Sequence, residues 1–169
     1  MKDFIKGLLK LCNELNKQIE TTAKIVVFIY RLGYYAEYKA TGTKKKFLIT
    51  IWYLLDSLVS KLYFNTIIPR TARIGYGLLL SHPFNVIMAR DVQIGYNARI
   101  RHEVTIGRKT PKNPGVARIG DNVTIGAGTK IIGPVSIGDN SVIGVNAVVT
   151  KDFGPNSVIV GNPAKNIKK

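Results

Sequence analysis

From residue 67 onward an aliphatic side chain returns every six residues, and this period narrows the fold more than any other feature of the chain. Ile119, Ile125, Ile131, Ile137 and Ile143 lead to Val149, and an earlier block keeps the same beat at Ile94, Ile100 and Ile106. Ahead of it stand Ile74, Leu80 and Val86. Six is too long for strand alternation and does not match a helical turn. It suits short strands and tight corners wound into a parallel β-helix, with the aliphatics stacked inward coil upon coil. The Gly, Asn and Asp that follow in IGDNVT, IGAGTK, IGDNSV and IGVNAV provide corners with positive φ.

The period also serves as a ruler. Three hexapeptides make one triangular coil, so the coils start their faces at Ile74, Leu80 and Val86; at Ile94, Ile100 and Ile106; at Ile119, Ile125 and Ile131; and at Ile137, Ile143 and Val149. The long step from Val86 to Ile94 predicts a two-residue insertion around residues 89–92. The longer gap before Ile119 predicts that RKTPKNPGVAR projects from a corner.

Measured this way, the chain's two histidines fall in one column. His82 lies two residues after Leu80, and His102 two after Ile100. Adjacent coils are about 4.8 Å apart, so the imidazoles are expected to stack as neighbours. The column continues as Ala127 and Val145. Imidazole is the side chain whose ordinary titration range suits a proton acceptor at neutral pH. Zinc takes three or four protein ligands, and with two histidines and a remote Cys12 no metal is expected.

Residues 1–66 follow a different pattern. Phe4, Leu8, Leu11, Leu15 and Ile19 form one helical stripe, and two further apolar helices are predicted within 24–42 and 44–64. The last has Asp56 inside it, which argues against a membrane span. Lys44, Lys45 and Lys46 lead into Trp52, Tyr53 and Tyr63, so two readings stay open: a helix packed in its own oligomer, or one lying on a membrane surface. The formal net charge of +15 favours anionic partners. Nucleic acid is not expected, because the basic residues are dispersed and no reader motif is present. One cysteine allows no internal disulfide. No secretory leader is apparent, so a cytoplasmic location is expected, with a peripheral position on the inner face of the cell membrane as the further option.

The segment IGYGLLLSHPFNVIMARDVQIGYNARIRHEVTIG, with VTKD at 149–152 and VGNPAKNIKK at the end, resembles the hexapeptide-repeat acyltransferases in their serine acetyltransferase-like branch. The resemblance implies a mainly β fold, a left-handed parallel β-helix over 67–169 preceded by a short α-helical region over 1–66. It also implies an acetyl-CoA-dependent O-acetyltransferase, active as a homotrimer with sites between subunits. His82 matches the family's catalytic histidine as general base, and His102 is taken with it. The pantetheine of acetyl-CoA would run beside Ala127 and Val145, with Gly126, Gly128 and Gly144 exposing backbone groups. Thr150 and Lys151 would lie near the adenine end, and Lys165, Lys168 and Lys169 near phosphate.

The sequence departs from the family where serine would be held. The aspartate before the histidine is Ser81, an upstream aspartate falls at Ile67, and a second histidine falls near Val116. The partner of His82 is left open among a backbone carbonyl, His102 and Asp91. The HPFN stretch and the short helical region look more like the polysaccharide-biosynthesis members. The expected acceptor is therefore a sugar hydroxyl of a bacterial surface polysaccharide or its lipid-linked precursor, contacted by Ser81, Asn85 and Asp91. Serine O-acetyltransferase is the first alternative. A non-catalytic trimeric membrane-surface or scaffold protein is the second.

Overall fold

The computed structural model describes residues 2–18, 20–110 and 115–168. Ile19 and Lys169 lie outside the described residues, as do the side chains of Phe4 and Leu8 and the tip of the predicted loop. Helices α1 (Lys2–Lys17), α2 (Thr21–Tyr38) and α3 (Gly42–Leu55) come first, and α3 runs on into a wider π-helical stretch, Asp56–Tyr63. The strands that follow are two or three residues long.

These strands form three parallel sheets, one for each face of a left-handed β-helix. The first face stacks Arg73–Ile74, Gln93–Ile94, Arg118–Ile119 and Ser136–Ile137. The second stacks Leu79–Ser81, Arg99–Arg101, Thr124–Ile125, Val142–Ile143 and Val158–Val160, with Lys165–Asn166 added antiparallel. The third stacks Ile87–Met88, Thr105–Gly107, Lys130–Ile132 and Val148–Val149. Inward aliphatics such as Ile100, Ile125 and Ile143 are buried, each worth about 1.5–3 kcal/mol. One corner column, Asn97, Asn122, Asn140 and Asn156, takes positive φ throughout. Successive side chains in it hydrogen-bond up to Asn140, a ladder that tolerates the left-handed conformation.

The register differs from the ruler at one place. Met88, not Val86, pairs with Ile106 as the inward residue of the third face. From Met88 to Ile94 the normal step of six holds, so the two extra residues lie in the preceding corner, SHPFNV, and not at 89–92. Val86 and Met88 are both buried, so hydrophobicity alone does not choose between them.

The open edge of the first coil is closed by side chains from α1, from Gln18 just past its end, and from α2. Gln18 accepts from the Leu80 N–H and donates to the Leu78 carbonyl, standing in for a missing strand. Glu14 accepts from the Leu78 N–H at 2.8 Å. Arg31 forks onto both Glu14 oxygens and donates to the carbonyls of Ile74 and Gly75. The Tyr30 hydroxyl donates to the Ala72 carbonyl and accepts from the Ile74 N–H. An exposed edge invites pairing with another chain, and this cover removes it.

Candidate active site

The widened corner carries His82, and the surrounding backbone fixes its shape. His82 and Asn85 both have positive φ, at 55° and 58°. Buried Thr66 pins the turn, its hydroxyl donating to the Pro83 carbonyl at 2.7 Å and accepting from the Val86 N–H. Asn85, expected to contact the acceptor, takes a hydrogen bond from the Asn65 amide at 2.7 Å and so helps hold the corner. Phe84 packs on Phe64, with ring centroids 5.2 Å apart.

The pairing of Leu80 with Ile100, Ile125 and Ile143 brings His82, His102, Ala127 and Val145 into one column. The imidazoles are neighbours, 5.8 Å between centroids, but they meet edge to face and are not stacked. The reason is backbone conformation. At the next coil the left-handed residue is Glu103 (φ 60°), so the two side chains leave the chain in different directions. Nδ1 of His102 is buried and takes no hydrogen bond among the described residues.

The partner of His82 is Glu20, in the link between α1 and α2. Its Oε1 lies 2.6 Å from His82 Nδ1, and its Oε2 accepts from the Thr22 hydroxyl at 3.2 Å. None of the three expected partners fills this place. Asp91 sits at the corner between the third and first faces, where it faces Arg108 at 3.7 Å. A carboxylate on Nδ1 leaves Nε2 as the nitrogen free to take a proton, and it holds the ring in one orientation. His82 is well exposed, so the pair adds little stability. Sixty-two residues separate the two, and no periodic signal links them.

Register also sets Arg101 beside Ser81 on the same face, with its side chain exposed. Above the histidines, Ala127 is half-buried and Val145 is 63% exposed, leaving a shallow, open rail. The backbone N–H groups of the three glycines expected beside the pantetheine are used between coils. Those of Gly126, Gly128 and Gly144 donate to the carbonyls of Ile143, His102 and Ile159. A Cβ at Gly126 would meet the Val145 nitrogen at 2.7 Å, so this glycine serves the close approach of coils.

A second column, two residues past the inward positions of the third face, reads Arg90, Arg108, Gly133 and Lys151. A hollow of about 410 Å³ beside it is lined by Ala89, Arg90, Arg108, Lys109 and Thr110. The misplaced insertion hid this column, because counting from Val86 lands on Met88. Lys151 and Thr150 are exposed, the Lys151 ammonium lying over the Phe153 ring. Lys165 and Lys168 are exposed in the tail. Coenzyme A has two polar ends joined by a flexible arm. A smooth rail at one edge of the third face and a cationic column at the other fit that chemistry.

Residues 117–151 match the family model described as bacterial transferase hexapeptide (six repeats). The chain is 37% identical over 118 residues to serine acetyltransferase of Buchnera aphidicola, covering 68% of this chain and 44% of that protein. It is 40% identical over 100 residues to serine acetyltransferase of Helicobacter pylori, covering 58% of each. Serine acetyltransferase from Brucella abortus in complex with coenzyme A superposes with a TM-score of 0.73 at 31% identity, over 86% of this chain and 56% of that one. The Neisseria gonorrhoeae enzyme in complex with serine gives 0.73 at 31% identity, over 87% and 57%. The chain thus spans about half the length of these relatives. The matches overturn the expectation of a polysaccharide acceptor, since these relatives and structural neighbours are serine acetyltransferases. The chain thus carries the hexapeptide repeat of the bacterial transferases over residues 117–151 and is similar in sequence and fold to the serine acetyltransferases over about half their length.

Proposed function

We propose that the chain is an acetyl-CoA-dependent O-acetyltransferase whose acceptor is the hydroxyl of serine. The observation that carries the reaction class is the Glu20 carboxylate on His82 Nδ1 at the head of a rail that suits pantetheine. The acceptor rests on the serine acetyltransferase relatives, and Arg101 beside Ser81 is a cation positioned for a carboxylate.

His82 Nε2 takes the hydroxyl proton as the serine oxygen forms its bond to the acetyl carbonyl carbon. The carbon–sulfur bond then breaks, and His82 returns the proton to the departing sulfur. Acetyl-CoA supplies the activated acyl group. Glu20 stabilises the imidazolium that exists between these steps and keeps Nε2 aimed at the acceptor. His102, packed against the ring, limits its rotation. General-base assistance of this kind is worth typically 10²–10⁴-fold. We place the working form as a homotrimer, in which a neighbouring subunit would wall the open rail at Val145 and Phe84, both exposed in the single chain.

The test is thiol release from acetyl-CoA by purified protein, with L-serine and a panel of other hydroxyl compounds, and identification of the acetylated product. O-Acetylserine formation that falls at least roughly a hundredfold in His82→Ala supports the reading. Absence of L-serine-dependent release, or full activity in His82→Ala, overturns it.

A further inference from the structure

α3 and its π-helical continuation are built inside out. The side chains turned toward the body are Trp52, Asp56 and Ser60, all buried. Asp56 is the only acid between residues 42 and 63, and it is neutralised there by Lys61 at 2.8 Å. The opposite side presents Phe47, Leu54, Leu58 and Leu62, which are 64%, 55%, 62% and 78% exposed. Their spacing puts them on one stripe, roughly 20 Å long at the helical rise. Tyr53 and Tyr63 are exposed along the same helix. Lys44 and Lys46 are exposed at its start, while Lys45 is engaged by Glu37.

A helix on a water-soluble surface turns its apolar stripe inward, and a contiguous exposed stripe marks a place of contact. The charge decides what fits. Among the described residues of this helix, the charges without an acidic partner are Lys44, which touches the Tyr35 ring, and Lys46, so two copies packed through the stripe would bring lysines together. An anionic lipid surface complements both features: leucine and phenylalanine enter the acyl boundary, tyrosines sit at the headgroups, and lysines meet phosphate. Among the described residues no helix is long and apolar enough to cross a bilayer, so this one would lie in the plane.

We propose that the outer face of α3 and its continuation docks the protein on an anionic bilayer surface. This does not depend on which acceptor the active site takes. The test is co-sedimentation of the full chain with phosphatidylcholine vesicles, with and without phosphatidylserine, at low and high salt. Binding should require the anionic lipid and weaken with salt. Leu58→Ser/Leu62→Ser and Lys44→Glu/Lys46→Glu should each lower it at least about tenfold, with the helical circular dichroism and the solution thiol-release rate unchanged. The proposal is overturned if the native protein does not sediment with anionic vesicles, if it binds neutral vesicles equally, or if both variants bind like the native protein. It is equally overturned if Leu58→Ser/Leu62→Ser lowers the particle mass in light scattering, which would make the stripe an interface between copies of this chain.

Discussion

Replacing Arg31 by methionine tests whether the helical layer is a structural lid on the β-helix or an ornament beside it. The guanidinium and the Glu14 carboxylate are 2.6 Å apart, with side chains 5% and 1% exposed. Burial pulls the Arg31 pKa down, but the hydrogen bonds and charge of Glu14 outweigh it and leave it raised, so the guanidinium stays charged. Methionine fills the aliphatic stem, so little cavity is added. What remains is a buried carboxylate without its countercharge and two backbone carbonyls, Ile74 and Gly75, without their 2.7 Å donors. Breaking a buried pair from one side costs about 3–5 kcal/mol. That is a large share of the roughly 5–15 kcal/mol that holds a typical domain folded. Adding Glu14→Gln removes the stranded charge while keeping an acceptor for the Leu78 N–H, and should return about 1–3 kcal/mol. Urea unfolding followed by circular dichroism, at one fixed protein concentration, measures both differences. A loss below about 1 kcal/mol for the single variant, or no recovery in the double one, refutes the account of the lid.

Other outcomes follow from the same geometry. Glu20→Gln should lower kcat about tenfold or more with the KM for acetyl-CoA nearly unchanged, and Glu20→Asp should restore part of it; a full-rate Gln variant would remove Glu20 from the mechanism. His102→Ala should cost less than His82→Ala, and the reverse order in steady-state kinetics would move the base to His102. Arg101→Ala should raise the KM for L-serine and not that for acetyl-CoA; equal shifts in both would deny it the carboxylate. Burial raises the Tyr30 pKa strongly, so the unfolded chain loses this proton first as pH climbs. Tyr30's contribution is complete below the ordinary tyrosine value of about 10 and fades above it, so Tyr30→Phe should flatten the alkaline fall in the urea midpoint. The Arg70 hydrogen bond, helped by Lys45, holds Glu37 below the usual carboxylate range. Its contribution is present above the ordinary value of about 4.3 and is lost as pH falls through the depressed one, a slope that Glu37→Gln should remove in acid titrations.

The β-helix and the histidine column were legible because each coil repeats the one below it, so local spacing carries three-dimensional position. Counting by sixes, with one step of eight between Leu80 and Ile100, places His82 beneath His102 without any coordinates. Where the repeat breaks, that logic fails. Val86 and Met88 are equally apolar, and only the pairing of Met88 with Ile106 shows that the extra residues widen the histidine corner and that Arg90 and Arg108 align with Lys151. Glu20 could not be found by period at all. It reaches His82 because Glu14, Gln18 and Arg31 dock the first two helices on the open edge of the coil, a contact between segments with no common repeat. The third helix makes the same point in reverse. Its sequence is apolar on several sides and leaves two readings open, a helix packed in its own oligomer or one lying on a membrane surface. Only the burial of Trp52, Asp56 and Ser60 decides that the leucine stripe faces outward, because which face a helix hides is set by what it packs against and not by its own composition.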